Sequence, residues 1–220
     1  MNTTVNQSKS LRPVVVFLVF LFAGWIAAWL VKNFLDAHHE QFKDEGLTFA
    51  YWLAAKLLIW VAPAIYFLKK RGNRFGELFA ADRLRGSLLF GGAIAAVIVV
   101  INLVSKTFIF DKPLFSYDSL FPFLSAVVIA PFVEEIAFRG AVLDGFLEVF
   151  RFRWANLLTA VFFLLIHFPG WLFRGDFAAR VFSQQALVIL LLGLVFGLIT
   201  RRSDSLAGAI LAHGLNNLTA

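Results

Sequence analysis

The stretch Pro131-Phe132-Val133-Glu134-Glu135-Ile136-Ala137-Phe138-Arg139-Gly140 places two adjacent carboxylates and one guanidinium inside an otherwise apolar run. Apolar residues continue on both sides, over residues 120–133 and 141–143. One charge at the centre of a membrane helix costs about 2.5–3.5 kcal/mol on insertion scales. We therefore expect these three charged side chains to be paired, protonated or functional.

Composition is typical of an integral membrane protein. Of the 220 residues, 60% are hydrophobic, and the mean hydropathy of +0.79 is far above that of a soluble domain. The sequence has no cysteine, which excludes disulfides, thiolate nucleophiles and cysteine-ligated zinc. The net charge of +6 does not indicate nucleic acid as a partner, because the basic residues punctuate hydrophobic runs instead of forming one stripe.

Hydrophobic runs of membrane-spanning length recur, and strand-like alternation is absent. Because only helices and closed barrels cross lipid, the sequence predicts an all-α, multi-pass transmembrane bundle of about seven spans, with an eighth left open after Ala220. The predicted spans are 13–31, 47–68, 87–105, 122–143, 155–173, 183–200 and 205–219. We divide the chain into N-terminal helices at 1–118, with about three spans, and a helical core at 119–220, which together form one membrane domain.

The basic residues of the connections predict a cytoplasmic N-terminus. With that orientation twelve Lys and Arg residues lie inside and six outside, as the positive-inside rule prefers. The inside residues are Lys9, Arg12, Lys69, Lys70, Arg71, Arg74, Arg83, Arg85, Arg151, Arg153, Arg201 and Arg202, and the outside residues are Lys32, Lys43, Lys106, Lys112, Arg174 and Arg180. The short chain and loops are typical of a bacterial cell-membrane protein.

Some residues within the spans predict packing or buried charge. Gly193 and Gly197 form a GxxxG pattern, which predicts close helix packing within the chain in preference to a dimer face. Asn216 is interpreted as a helix-packing contact. Lys56 lies within the second run, where it either extends towards the outer surface or pairs with a buried carboxylate.

Three more polar side chains, those of His167, His213 and Asn217, lie within hydrophobic runs. Glu135 and Arg139 are four residues apart and share a helix face, with the glutamate on the favourable N-terminal side. His213 and Asn217 have the same spacing. Three helices therefore each present one polar face, and we expect these faces to line a common interior cavity.

Glutamate and histidine in a cavity can activate a water molecule as general base. An imidazole and a carboxamide on one helix face can donate hydrogen bonds to a developing oxyanion. The combination predicts peptide hydrolysis without a covalent intermediate. One alternative is a zinc protease with Glu134, His167 and His213 as ligands, although a His-Glu-x-x-His motif is absent. A structural ion-pair cluster is another.

Three motifs, in this order and each on a hydrophobic helix, resemble those of the CPBP family: Glu134-Glu135-x-x-x-Arg139, Phe163-x-x-x-His167 and His213-x-x-x-Asn217. This family comprises intramembrane glutamic endopeptidases, also known as type II CAAX prenyl proteases, Abi or bacteriocin-processing proteins. The resemblance covers about residues 119–219. The N-terminal half is similar only as generic membrane helices.

The resemblance implies a role for each motif residue. Glu134 would be the general base and would act with His167 on the attacking water. His213 and Asn217 would form the oxyanion hole. Arg139 would fix the cavity by pairing with Glu135, and both are supporting residues.

The resemblance also implies partners. A glutamic endopeptidase needs no metal or other cofactor, and its substrate would be a peptide or a membrane-associated protein within the lipid bilayer. For a bacterial chain a prenylated CAAX protein is not the expected substrate. Because the family includes immunity proteins, a non-catalytic membrane scaffold is the alternative from a different functional class.

Overall fold

The computed structural model describes residues 10–72, 74–110, 113 and 117–220, and every regular element within them is helical. In chain order the helices are α1 (Arg12–His38), α2 (Glu45–Lys70), α3 (Arg74–Leu78), α4 (Ala81–Ile109), α5 (Leu120–Leu147), α6 (Phe152–Phe173), α7 (Phe177–Val181), α8 (Gln184–Ser203) and α9 (Ala207–Thr219). Six helices in the described part, namely α1, α2, α4, α5, α6 and α8, are long and apolar enough to cross a membrane. The predicted all-α, multi-pass architecture is confirmed.

The seventh predicted span, 205–219, is the short helix α9. Its 13 residues extend about 20 Å, less than the roughly 30 Å of a bilayer core. The helix packs closely on α4, where a Cβ added to Gly91 would lie 2.4 Å from the Cα of Gly208. This backbone contact fixes α9 beside a full-length span. The orientation of the bundle remains a prediction, and two of the residues used for it, Lys9 and Lys112, lie outside the described residues.

Gly208→Ala is expected to destabilise the protein by about 1–3 kcal/mol, the usual cost of overpacking. A Cβ at Gly208 would lie 2.2 Å from the carbonyl oxygen of Ser87, and this backbone atom cannot rotate away. Gly86→Ala on α4, the helix of Ser87, is the control, because no described atom outside its own helix backbone lies within 4 Å of its added Cβ. Thermal unfolding of both variants in one detergent measures the difference, and equal midpoints would contradict the predicted contact.

Pro131 shapes the centre of α5. Proline has no amide hydrogen and its ring crowds the carbonyl four residues earlier, so a regular α-helix cannot continue through it. The helix widens into π turns over Leu124–Ile129, just before this proline, and again over Ile136–Val142. Glu134 and Glu135 end the short α-helical segment between these turns. Single π turns inside helices occur frequently at functional sites.

The GxxxG pattern packs α8 against α6 within the chain, as predicted. A Cβ added to Gly193 would lie 3.0 Å from the Cβ of Ala160, and one added to Gly197 would lie 1.8 Å from Oδ1 of Asn156. The helices therefore approach more closely than larger residues would permit. This approach brings the Gly193 carbonyl within reach of Arg139 on α5.

Helix α5 lies at the centre of the core. Ile136, Ala137 and Phe138 are all fully buried. The Phe138 ring meets Trp60 of α2 at 5.9 Å and Phe163 of α6 at 5.2 Å between centroids, both edge-on. The helix that carries both central glutamates is therefore held by aromatic contacts on two sides.

Candidate active site

Glu135 and Arg139 form an ion pair one turn apart on α5, and neither side chain has any exposed surface. Arg139 Nη1 donates to Glu135 Oε1 at 2.9 Å, and Nη2 donates to the Gly193 carbonyl oxygen at 2.9 Å. The guanidinium carbon lies 4.3 Å from the centroid of the Phe163 ring, a cation–π contact. The ion pair predicted from the spacing is confirmed, and Arg139 lies inside the bundle.

His213 of α9 approaches both glutamates. Its Nδ1 lies 2.8 Å from Glu135 Oε1, and its Nε2 lies 3.8 Å from Glu134 Oε2. The Glu135 carboxylate, ionised in its pair with Arg139, only accepts hydrogen bonds, so His213 Nδ1 carries a hydrogen and donates it. The ring also stacks on Phe196 with centroids 4.8 Å apart. His213 is thereby fixed with Nε2 towards Glu134.

His167 lies at a break in α6 that Pro169 imposes, because proline cannot continue the hydrogen-bond ladder. The backbone N–H of His167 donates to the Leu164 carbonyl at 3.1 Å, which leaves the Phe163 carbonyl without its helical donor. That oxygen lies 2.7 Å from His167 Nδ1. A carbonyl only accepts, so Nδ1 carries the hydrogen, and the neutral ring has its free lone pair on Nε2.

Glu134 and His167 line the same cavity of about 110 Å³. A cavity holds a water molecule once about 10–15 Å³ is open to a water-sized probe. The Glu134 side chain is 12% exposed, whereas that of Glu135 has no exposed surface. The two adjacent glutamates therefore differ in environment: Glu134 faces an open space, and Glu135 is closed into an ion pair.

Lys56 of α2 lines this cavity as well, together with Trp60 and Arg174. Its place in this cavity brings Lys56 near Glu134, but the predicted pairing with a buried carboxylate stays a prediction. Within the described part of the chain, however, it makes no ion pair within 4.0 Å. Lys56 is therefore a neighbour of the cavity and not a fixed partner of Glu134.

Asn217 follows His213 by one turn, but its side chain reaches a different part of α5. Its Nδ2 donates to the Ala126 carbonyl at 2.9 Å, and its Oδ1 accepts from Asn216 at 3.1 Å. Ala126 precedes Glu134 by about two helical turns. The fold thus brings Glu134, Glu135, Arg139, His167 and His213 around one centre, whereas Asn217 lies at its margin.

The sequence did not predict the partners of Asn217. Asn216 does join α9 to α4, as expected of a packing residue, through a 3.2 Å hydrogen bond from Asn102. It also holds Asn217, which the spacing did not indicate. Asn102 is a carboxamide within the predicted span 87–105, close to its C-terminal end, and the same reasoning that selected the other buried polar residues applies to it. Tyr117 donates to the Asn217 carbonyl at 2.6 Å.

The zinc alternative needs Glu134, His167 and His213 as ligands. Among the residues that the structure describes, no three His, Asp or Glu side chains form a group that could hold a metal ion. Nδ1 of each imidazole is also engaged, by the Phe163 carbonyl and by Glu135. The geometry does not favour this alternative, and a chelator provides the direct test.

A larger groove of about 1360 Å³ opens near Arg12 and Lys70, at one end of the bundle. Two of the residues that line it, Arg71 and Glu148, form an ion pair with each other. None of the predicted site residues lines it. The candidate active site is therefore the smaller cavity, which Glu134 and His167 line.

Comparison with known proteins agrees with the motifs. Residues 116–219 match the model of one protein family, described as Type II CAAX prenyl endopeptidase Rce1-like. The matched segment begins just before α5 and ends at the last residue of α9, so it contains all three motifs. The resemblance predicted from the motifs is confirmed over this segment. No curated protein matches the chain, and no solved structure matches it.

Proposed function

Residues 116–219 match the Rce1-like family of type II CAAX prenyl endopeptidases, and from this match we propose that the chain is an intramembrane glutamic endopeptidase. Glu134 and His167 activate a water molecule, and His213 and Asn217 stabilise the oxyanion. The observation that carries the proposal is the cavity of about 110 Å³ that Glu134 and His167 both line, while His213 Nε2 lies 3.8 Å from Glu134 Oε2.

The hydrogen bonds support the division of roles. A general base needs a free lone pair, and the hydrogen bond from His167 Nδ1 to the Phe163 carbonyl leaves the lone pair on Nε2 free. His213 already donates from Nδ1 to Glu135. It can also donate to an oxyanion from Nε2 only when both ring nitrogens carry a hydrogen.

The proposed reaction is a direct hydrolysis. The water oxygen attacks the carbonyl carbon of the scissile peptide bond while Glu134 takes one proton. The resulting oxyanion accepts hydrogen bonds from His213 and Asn217. The carbon–nitrogen bond then breaks, Glu134 returns the proton to the leaving amine, and the products are a carboxylate and an amine.

The substrate is a peptide or the tail of a membrane-associated protein that enters from the cytoplasmic side or laterally from the bilayer. This accords with a cell-membrane protein whose N-terminus is cytoplasmic. A bacterial origin makes a regulatory membrane protein or a processed peptide a better substrate than a prenylated one. A non-catalytic scaffold on the same fold is the competing function.

The test uses the purified protein in liposomes with internally quenched peptides. One set carries a cysteine four residues from the C-terminus, with or without an S-farnesyl group, and a second set is unmodified. We expect cleavage of a defined peptide bond, detected by mass spectrometry, that persists in EDTA. Complete loss in EDTA with recovery on adding zinc would establish the metal-dependent alternative. No cleavage of any peptide by folded protein would favour the scaffold.

A further inference from the structure

Three carboxamides form a directed chain of hydrogen bonds from α4 to the proposed oxyanion hole. Asn102 Nδ2 lies 3.2 Å from Asn216 Oδ1, and Asn216 Nδ2 lies 3.1 Å from Asn217 Oδ1. Asn217 Nδ2 then donates to the Ala126 carbonyl at 2.9 Å. Each amide donates a hydrogen bond to the oxygen of the next residue, so all the hydrogen bonds of this series point from Asn102 towards Ala126.

Chemistry at the Ala126 end forces that direction. A backbone carbonyl only accepts hydrogen bonds, so Asn217 must turn its nitrogen towards Ala126 and its oxygen towards Asn216. Asn216 must then present its nitrogen to Asn217, which leaves its oxygen for Asn102. The orientation of all three amides therefore follows from one acceptor.

The opposite end gives the same direction independently. The Thr219 hydroxyl donates to the Leu215 carbonyl at 2.8 Å and is left to accept from Asn102 Nδ2 at 3.0 Å. Asn102 must therefore turn its nitrogen towards α9. Asn216 and Thr219 are only 7% and 4% exposed, so water cannot readily replace a lost partner.

We propose that Asn102 is a positioning residue, which acts through Asn216 to hold the Asn217 carboxamide with its nitrogen towards Ala126 of α5 and its oxygen away from it. The inference rests on the proposed function, in which Asn217 donates a hydrogen bond to the oxyanion. Only one of the two Nδ2 hydrogens of Asn217 has an acceptor among the described residues, the Ala126 carbonyl. The other is available to an oxyanion, whereas a flipped amide would present an oxygen and repel it. Asn102 precedes the family-matched segment 116–219.

The first test is Asn102→Ala, assayed with the internally quenched peptides. We expect kcat to fall roughly 10- to 100-fold, as misplacement of a catalytic group does, while KM stays within a factor of two. The reason is that an oxyanion exists only in the transition state, so ground-state binding is unaffected. An increase in KM at unchanged kcat would overturn the proposal.

A double-mutant cycle separates positioning from general damage. In the Asn217→Ala background, Asn102→Ala is expected to cause no further loss of kcat, because the chain of amides no longer reaches a donor. Asn156→Ala is the matched control: this buried amide of α6 bonds the Leu194 carbonyl at 3.0 Å and has no link to Asn217. Its effect should be equal in both backgrounds. An equal loss from Asn102→Ala in both backgrounds would also overturn the proposal.

A second readout needs no substrate. In protein labelled with ¹⁵N-asparagine, the side-chain amide signals of Asn217 are identified by their loss in Asn217→Ala. We expect them to shift in Asn102→Ala and to stay in place in Asn156→Ala. If the wild type cleaves no peptide, the proposed function fails while this shift still reports the coupling. Unchanged Asn217 signals in Asn102→Ala would refute the positioning role whatever the activity.

Discussion

Glu134→Gln is expected to lower the rate of peptide hydrolysis by about 10²–10⁴-fold, the contribution of a general base. The amide has nearly the same shape as the carboxylate and can still line the cavity with His167. It cannot accept a proton from water, however, so the attacking nucleophile is not generated. Initial rates of wild type and variant in liposomes, with the internally quenched peptides, measure the loss, and KM should change little.

Glu40→Gln is the control for this substitution, because the Glu40 side chain is 86% exposed and its partner Lys43 lies at the surface. Its activity should equal that of the wild type. A Glu134→Gln protein that retains full activity would remove the general base from the mechanism. In cells, comparative peptidomics of the wild type and Glu134→Gln identifies the natural substrate as a peptide that only the wild type processes.

Helical spacing was sufficient to predict the interior ion pair. Glu135 and Arg139 lie on one face of one helix, and two charges that face a hydrophobic core lose too much solvation to remain apart. The same spacing on α9 correctly placed His213 and Asn217 on one side of the helix. It did not show where each side chain ends: His213 reaches Glu135, but Asn217 reaches the carbonyl of Ala126.

The remaining geometry depends on contacts between helices, which a single-helix pattern does not contain. The depth of α9 is set where Gly91 of α4 meets Gly208, so closely that a Cβ added to Gly91 would lie 2.4 Å from the Gly208 Cα. The break at His167 follows from Pro169, but hydropathy alone reads residues 155–173 as one continuous run. The link from Asn102 to Asn216 joins helices that are far apart in sequence. Composition and periodicity predict the helical bundle. Its polar contacts depend on how the helices pack against each other, which the pattern of a single helix does not contain.

The position of the ion pair supports the different roles that we propose for the two adjacent glutamates. A catalytic carboxylate needs contact with water, whereas a supporting carboxylate needs fixed partners. Glu135 has Arg139 on one side and His213 on the other, and a single oxygen, Oε1, receives both hydrogen bonds. Its loss would release His213, and its exposure would make it a competing base. We therefore expect the Glu135–Arg139 pair to contribute both to folding stability and to the proposed catalysis.

Arg139→Met is expected to destabilise the protein by about 3–5 kcal/mol, because it leaves the Glu135 carboxylate buried without its cation. The change should appear as unfolding at a lower SDS fraction in mixed micelles. Arg83→Met is the control: that guanidinium is 33% exposed and pairs with Asp204, which is 53% exposed. A surface pair of this kind contributes only about 0–1 kcal/mol.

The double variant Arg139→Met/Glu135→Gln separates charge from packing. It removes the uncompensated charge while the oxygen of the introduced carboxamide still accepts from His213 Nδ1, so most of the lost stability should return. Activity should stay low, because a neutral carboxamide accepts a weaker hydrogen bond from His213 Nδ1 than the carboxylate does and so holds the ring less firmly. If Arg139→Met is no less stable than Arg83→Met, the pair is not holding the core. If the double variant regains wild-type activity, the Glu135 charge has no part in catalysis.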